Sequence, residues 1–246
     1  MLHHSEDPLP VPKPDPTQSD VHAVSPLGFV PLLVMFDLDG TLIDTMGHFA
    51  DLASELMHEH YGMEQGEARR RYLETSGVPL RQQLEVIFPA DPKNDRTSDI
   101  YEERKTGICL RAKMPEDTVE ALQLLQQEGV RVVLSSNSAQ HFVDELVARC
   151  PVRFDLALGF GDGLAKGEAH VAEVAKRLGI AAEQILFVGD SLKDGELAAR
   201  CEQRFVGITG TFQAPDFQRH FGERQLVIER IAELPRLIFG REIRKR

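Results

Sequence analysis

Two carboxylates spaced i and i+2, Asp37 and Asp39, follow directly on an apolar run over 32–36, with Gly40 and Thr41 behind them. Such a run suits a strand buried on both faces of a parallel sheet, and a glycine just after it gives the backbone freedom to turn sharply. Ligands of open α/β sheets bind beyond the carboxyl ends of the strands, which is where this pair falls. Two aspartates so placed repel each other, and a cation or a shared proton relieves the repulsion. Mg²⁺ suits the place, since it takes carboxylate and carbonyl oxygens and commonly binds beside a phosphate. Taken alone, the pair also reads as a solvated Asp-Gly turn.

The same logic returns later in the chain, where the apolar run 185–188 meets Gly189 and Asp190, with Asp194 four residues on. A further apolar run over 130–134 ends in Ser135-Ser136-Asn137-Ser138, which brings small polar groups to the same sheet edge if the strands are parallel. Lys166 opens a helix whose apolar face is Val171, Val174, Ala175 and Leu178. A lysine at a helix start opposes the helix dipole, but it becomes sensible if helix end and ammonium share one phosphate. Without such a partner an exposed surface lysine is the commoner reading.

The elements that position these residues follow from periodicity. Phe49, Leu52, Ala53, Leu56 and Met57 make one apolar stripe on a helix that stops near Gly62. Helices over 64–74, 79–88 and 95–111 follow, separated by breaks at 75–79 and 89–92. The stretch 48–112 holds no strand pattern and reads as a helical domain inserted after the first strand. From Met114 helix and strand alternate: a helix opening at Pro115-Glu116-Asp117, the strand at 130, a helix carrying Phe142, Val143, Leu146 and Val147, and strands over 154–158, 185–188 and 204–208. A glycine-rich loop and an amphipathic helix around Ile231, Leu234 and Ile238 close the pattern. This order is that of a doubly wound α/β domain, with 28–47 and 113–240 forming its core.

Composition narrows the partners. The 246 residues are 42% hydrophobic, enough for a sizeable core, and the net charge of −11 argues against a general binder of nucleic acid or anionic membranes. Cys109, Cys150 and Cys201 lack metal-ligand spacing and suit reduced thiols. Residues 1–27, proline-rich and carrying His3 and His4, cannot bury a core and are expected to be disordered. No signal peptide and no run of about 20 apolar residues is seen, so with the reduced thiols a cytoplasmic protein is expected, as monomer or homodimer and without a membrane partner. The basic 241–246 reads as a solvated tail.

In combination these motifs resemble the haloacid dehalogenase-like hydrolase superfamily, in particular its phosphatases of the phosphoglycolate phosphatase and β-phosphoglucomutase type with a helical cap. The resemblance rests on Asp37-Leu38-Asp39-Gly40-Thr41, Ser136, Lys166, and Gly189-Asp190 with Asp194, and spans about 32–239. It implies a Rossmann-like core of strand order 3-2-1-4-5 and a cap over 48–112. It implies a Mg²⁺-dependent phosphatase for a small phosphorylated metabolite, with Asp37 as nucleophile and metal contact. Asp39 becomes general acid and then base, its backbone carbonyl a second metal contact, and Asp190 completes the metal set. Ser136, Asn137, Lys166 and Gly40 surround the phosphate, and Asp194 orients Lys166 or the metal's water shell.

The chain departs from the pattern at Gly167, where many relatives carry proline, so a more mobile entrance to that helix is expected. Asp44 and Thr45 resemble the hinge into the cap, and a plain structural role serves them equally well. Thr75, Ser76, Gly77 and Arg81 fall where the resemblance puts substrate specificity, and Arg81 could grip a substrate carboxylate. A phosphomutase is the related alternative. A receiver-like signalling module, which also phosphorylates an aspartate, is the alternative of another class; the helical insert and the second aspartate speak against it.

Overall fold

The computed structural model describes residues 25–109 and 111–240. Its centre is a six-stranded sheet in the order β3-β2-β1-β4-β5-β6, parallel throughout. The strands are β1 (Leu33–Phe36), β2 (Arg131–Ala139), β3 (Leu156–Phe160), β4 (Ile185–Gly189), β5 (Arg204–Ile208) and β6 (Val227–Ile228). Register settles what leaves the sheet where. Phe36 lies level with Leu134 on one side and Val188 on the other, so Asp37, the serines of β2 and Gly189-Asp190 emerge at one edge.

All of β1 is buried, and alternation splits it between two cores. Val34 and Phe36 join Leu134, Val188 and Leu122 on one face, while Leu33 and Met35 join Val133, Ile185 and Val174 on the other. The helices that cover these faces are α5 (Glu116–Gln127), α6 (Gln140–Ala148), α7 (Glu168–Leu178), α8 (Leu192–Arg200), α9 (Ala214–Phe221) and α10 (Leu234–Phe239). Between β1 and α5 stand α1 (Met46–Tyr61), α2 (Gln65–Glu74), α3 (Leu80–Ile87) and α4 (Asn94–Cys109). The stripe Phe49, Leu52, Leu56 of α1 packs into the same cluster as Phe36, which ties this helical insert to the sheet.

The expected order 3-2-1-4-5 gains a sixth strand, β6, whose two residues leave no pattern to read. Helix α9 was absent from the expected pattern as well; it lies between Gly210 and Gly222 with proline in its first turn, a context that reads as loop. Strand β2 runs five residues past its apolar part, with a shift of register between Ser135 and Ala139. Residues 25–27, assigned to the disordered tail by composition, belong to the fold: Leu27 is buried in the main core and Ser25 Oγ hydrogen-bonds the Phe29 and Leu237 carbonyls. The rest of that tail, with His3 and His4, and the basic 241–246 lie outside the described residues. Among the described residues no helix is long and apolar enough to cross a membrane.

Candidate active site

The turn after β1 is organised by one carbonyl. Leu38 O accepts from the amides of Thr41, Leu42 and Ile43, and Gly40 N returns to Ile43 O. Closing so tight a loop puts Gly40 at φ +85, and a Cβ there would run into the Asp190 carboxylate and within 2.7 Å of Met46 Cγ. The absence of a side chain at position 40 therefore leaves room for the Asp190 carboxylate beside the turn that follows Asp37.

Asp37, Asp190 and Asp194 are buried, and each offers a carboxylate oxygen within 4.8 Å of the others. Burial raises the Asp37 carboxyl to about 7; the pull of Lys166 opposes this, and Asp194 and Asp39 add to it. Burial also holds Asp190 well above the carboxylate range, with the charges of Asp37 and Asp194 behind it, against a donated hydrogen bond from Thr211. A buried set of hard oxygen donors crowded this closely matches what a small divalent cation takes. Asp194 belongs to this set as a third carboxylate. The Asp39 carboxylate does not, since it turns to Thr45 and Ser138.

Lys166 brings a fully buried positive charge to the site. Its Nζ lies 2.5 Å from Asp37 Oδ1 and 2.5 Å from Asp194 Oδ1. Burial works against its charge, but the two carboxylates outweigh burial and hold the ammonium above its usual range. It stands two residues before α7, which Gly167 caps at φ +108, a conformation closed to proline. At Gly167 the backbone thus takes a path into the helix that proline could not follow. Asp194 is fixed in turn by Ser191, whose amide and hydroxyl both donate to Asp194 Oδ2 at the start of α8.

Ser136 is buried and accepts the Ser138 amide with its hydroxyl. Behind it His170 bridges two strands: Nε2 donates to the Gly159 carbonyl at 3.0 Å, which leaves Nδ1 to accept the Ser135 hydroxyl at 2.8 Å. Asn137 Nδ2 donates to the Gly77 carbonyl at 3.1 Å and so joins the sheet edge to the helical insert. A cavity of about 70 Å³ gathers Asp37, Asp39, Ser136, Asn137, Lys166, Asp190 and Asp194 with Ser76 and Gly77. Ser76 is buried there, its hydroxyl without a partner.

Thr75 and Arg81 do not reach this cavity. Thr75 bonds to Arg71 and Tyr72 carbonyls and to Gln83, and Arg81 spends its guanidinium on Glu85 and Asp95 at the surface. Four groups were not anticipated as site residues. Thr45 Oγ1 donates to Asp39 Oδ1 at 2.8 Å, Ser138 Oγ donates to Asp39 Oδ2 at 3.1 Å, Thr211 bonds Asp190, and Lys105 from α4 stands 3.8 Å from Asp39 Oδ2.

The family model described as haloacid dehalogenase-like hydrolase matches residues 34–208. A phosphoglycolate phosphatase of Pseudomonas syringae pv. tomato is 31% identical over 183 residues, covering 70% of this chain and 66% of that protein, just under two thirds of its length. A phosphoglycolate phosphatase of Nitrosococcus oceani is 26% identical over 192 residues, covering 72% of this chain and 83% of its own. Among solved structures, a haloacid dehalogenase-like hydrolase of Streptococcus pneumoniae superposes with TM-score 0.69 at 16% identity, over 84% of this chain and 97% of that one. CbbY of Rhodobacter sphaeroides, solved with phosphate, gives TM-score 0.63 at 17% identity, over 83% and 96%. With the strand-end aspartates, the lysine and the sheet order already in place, the chain belongs to the haloacid dehalogenase-like hydrolase family.

Proposed function

We propose that the protein is a Mg²⁺-dependent phosphatase that hydrolyses a small phosphomonoester through an aspartyl-phosphate on Asp37. The observation that carries this reading is the buried cluster of Asp37, Asp190 and Asp194 with Lys166 2.5 Å from two of them, since such a set suits a cation and an anion together. The curated relatives act on phosphoglycolate by name, which makes a small phosphorylated acid the first substrate to try.

Asp37 attacks phosphorus, and the bond from phosphorus to the ester oxygen breaks as the new acyl phosphate forms. Lys166 and the Ser136 hydroxyl hold the phosphoryl oxygens, a task of positioning and charge neutralisation. Asp39, set by Thr45 and Ser138, gives a proton to the departing oxygen; its carboxylate then takes one from the water that releases phosphate. Asp37, Asp190 and the Asp39 carbonyl would hold Mg²⁺ beside Asp194, and when bound the ion offsets negative charge on carboxylates and phosphate. The insert over 48–112 serves as a lid that excludes water, with Ser76 and Gly77 closing on the cavity. The free thiols of Cys109, Cys150 and Cys201 fit a reducing cytoplasm.

Hydrolysis of p-nitrophenyl phosphate tests the reading. Chelation with EDTA should abolish it and Mg²⁺ restore it; turnover indifferent to exhaustive chelation would sink the metal assignment.

A further inference from the structure

Lys105 sits in a run of charge, Glu102-Glu103-Arg104-Lys105, yet helical spacing puts it on the buried stripe of α4 between Tyr101 and Cys109. Its side chain is 14% exposed, its ammonium lies 4.7 Å above the Phe49 ring, and it donates to Ser138 Oγ at 3.1 Å. The chemistry assigned above makes no use of this cation.

At about 70 Å³, the cavity around Asp37 is a fraction of the ~300–1,000 Å³ usual for sites that enclose an organic ligand. It has room for a phosphoryl group and an ion, and little more. A second cavity of about 250 Å³ lies between α4 and the turn from β2 into α6, lined by Glu102, Glu103, Thr106, Ala139 and His141 among others. Lys105 and Ser138 line both cavities. Asp39, assigned to protonate the departing oxygen, touches this same pair. Lys105 and Ser138 therefore stand between Asp39 and the second cavity.

We propose that the second cavity receives the leaving group, and that Lys105 is a specificity-determining residue which selects phosphomonoesters carrying one carboxylate close to the ester oxygen. The inference rests on the phosphatase reading. A single ammonium next to the ester rewards one negative charge there. Glu102 and Glu103 on the lining disfavour a second charge farther out, which separates a monocarboxylate from a bisphosphate.

The test compares kcat/KM for 2-phosphoglycolate with that for 2-hydroxyethyl phosphate, an ester of similar size whose leaving group is uncharged, in the native protein, Lys105→Met and Lys105→Arg. The native protein should favour the carboxylate ester. Lys105→Met should cut that preference about ten- to hundredfold, chiefly through KM, and Lys105→Arg should recover part of it. Thr106→Phe, which narrows the second cavity and leaves Lys105 in place, should raise KM for 3-phosphoglycerate more than for 2-phosphoglycolate. It also decides the matter if the methionine variant does not fold. An equal loss on both esters in Lys105→Met, or equal KM changes in Thr106→Phe, overturns the inference. A native protein that hydrolyses p-nitrophenyl phosphate but shows no carboxylate preference overturns it while the phosphatase reading stands. If the native protein hydrolyses none of these esters, both fall.

Discussion

Lys166 Nζ lies 2.5 Å from Asp37 Oδ1, joining residues 129 positions apart. The contact is buried and Asp194 shares it, so the lysine holds two like charges together as much as it awaits an anion. Removing one member of a buried charge set typically costs about 3–5 kcal/mol, because the remaining charges lose their partner. Lys166→Met should therefore lower resistance to urea in the presence of EDTA, and Mg²⁺ should restore part of the loss. Equal unfolding midpoints for variant and native protein would contradict this.

Asp39 owes its orientation to Thr45 and Ser138. Thr45→Val removes a 2.8 Å donor and keeps the shape, a loss of roughly 1.5 kcal/mol or about tenfold in rate where the acid is needed. Alkyl phosphates, whose alcohols leave poorly, should suffer more than p-nitrophenyl phosphate. Identical losses on both would show that Thr45 acts through the fold alone.

Gly40→Ala forces a side chain into a left-handed position and into the Asp190 carboxylate. Beyond the cost of strain, Asp190 must move. Loss of Mg²⁺-induced stabilisation in thermal melts, greater than the loss of stability in EDTA, is the expected result; normal Mg²⁺ stabilisation would show that position 40 does not set the cluster.

His170 gives the fold a pH dependence. Burial pushes its imidazole from 6.5 down to about 4, Lys166 adding to the shift and the Gly159 carbonyl resisting it. The folded value lies below the unfolded one, so the unfolded chain binds more protons between them. The contribution is whole above 6.5 and is lost as pH falls towards 4. Urea midpoints measured across that window should fall more steeply for the native protein than for His170→Asn, which does not titrate. Parallel slopes would remove His170 from the account.

The aspartates at the ends of β1 and β4 were legible because an apolar run, a glycine and a carboxylate carry strand, turn and chemistry together. The apolar part of β2 pointed only to the polar stretch over 135–138 at its end, within which Ser136 was singled out by the family resemblance. Lys105 was hidden by its neighbours: Glu102, Glu103 and Arg104 make the segment look solvated, and only the helix phase set by Tyr101 and Cys109 turns it inward. Thr211 follows β5 in a glycine-rich loop, where sequence offers no direction for a side chain. Arg81 shows the reverse, a charge that could face substrate but whose neighbours on α3 and α4, Glu85 and Asp95, hold it at the surface. Among chain segments, β6 is too short to show alternation, and Leu27 is a single buried residue at the end of a polar, proline-rich tail.

In the proposed mechanism Asp37 carries the phosphoryl group. Asp39→Asn keeps this nucleophile and removes the acid and base, contributions worth ~10²–10⁴-fold each. With p-nitrophenyl phosphate, which needs no acid to leave, the variant should become phosphorylated and then stall. Mass spectrometry of the acid-quenched variant should show one added phosphoryl group on the peptide that contains Asp37, and none in Asp37→Asn. A phosphoryl group on any other residue, or full turnover by Asp37→Asn, would contradict the account.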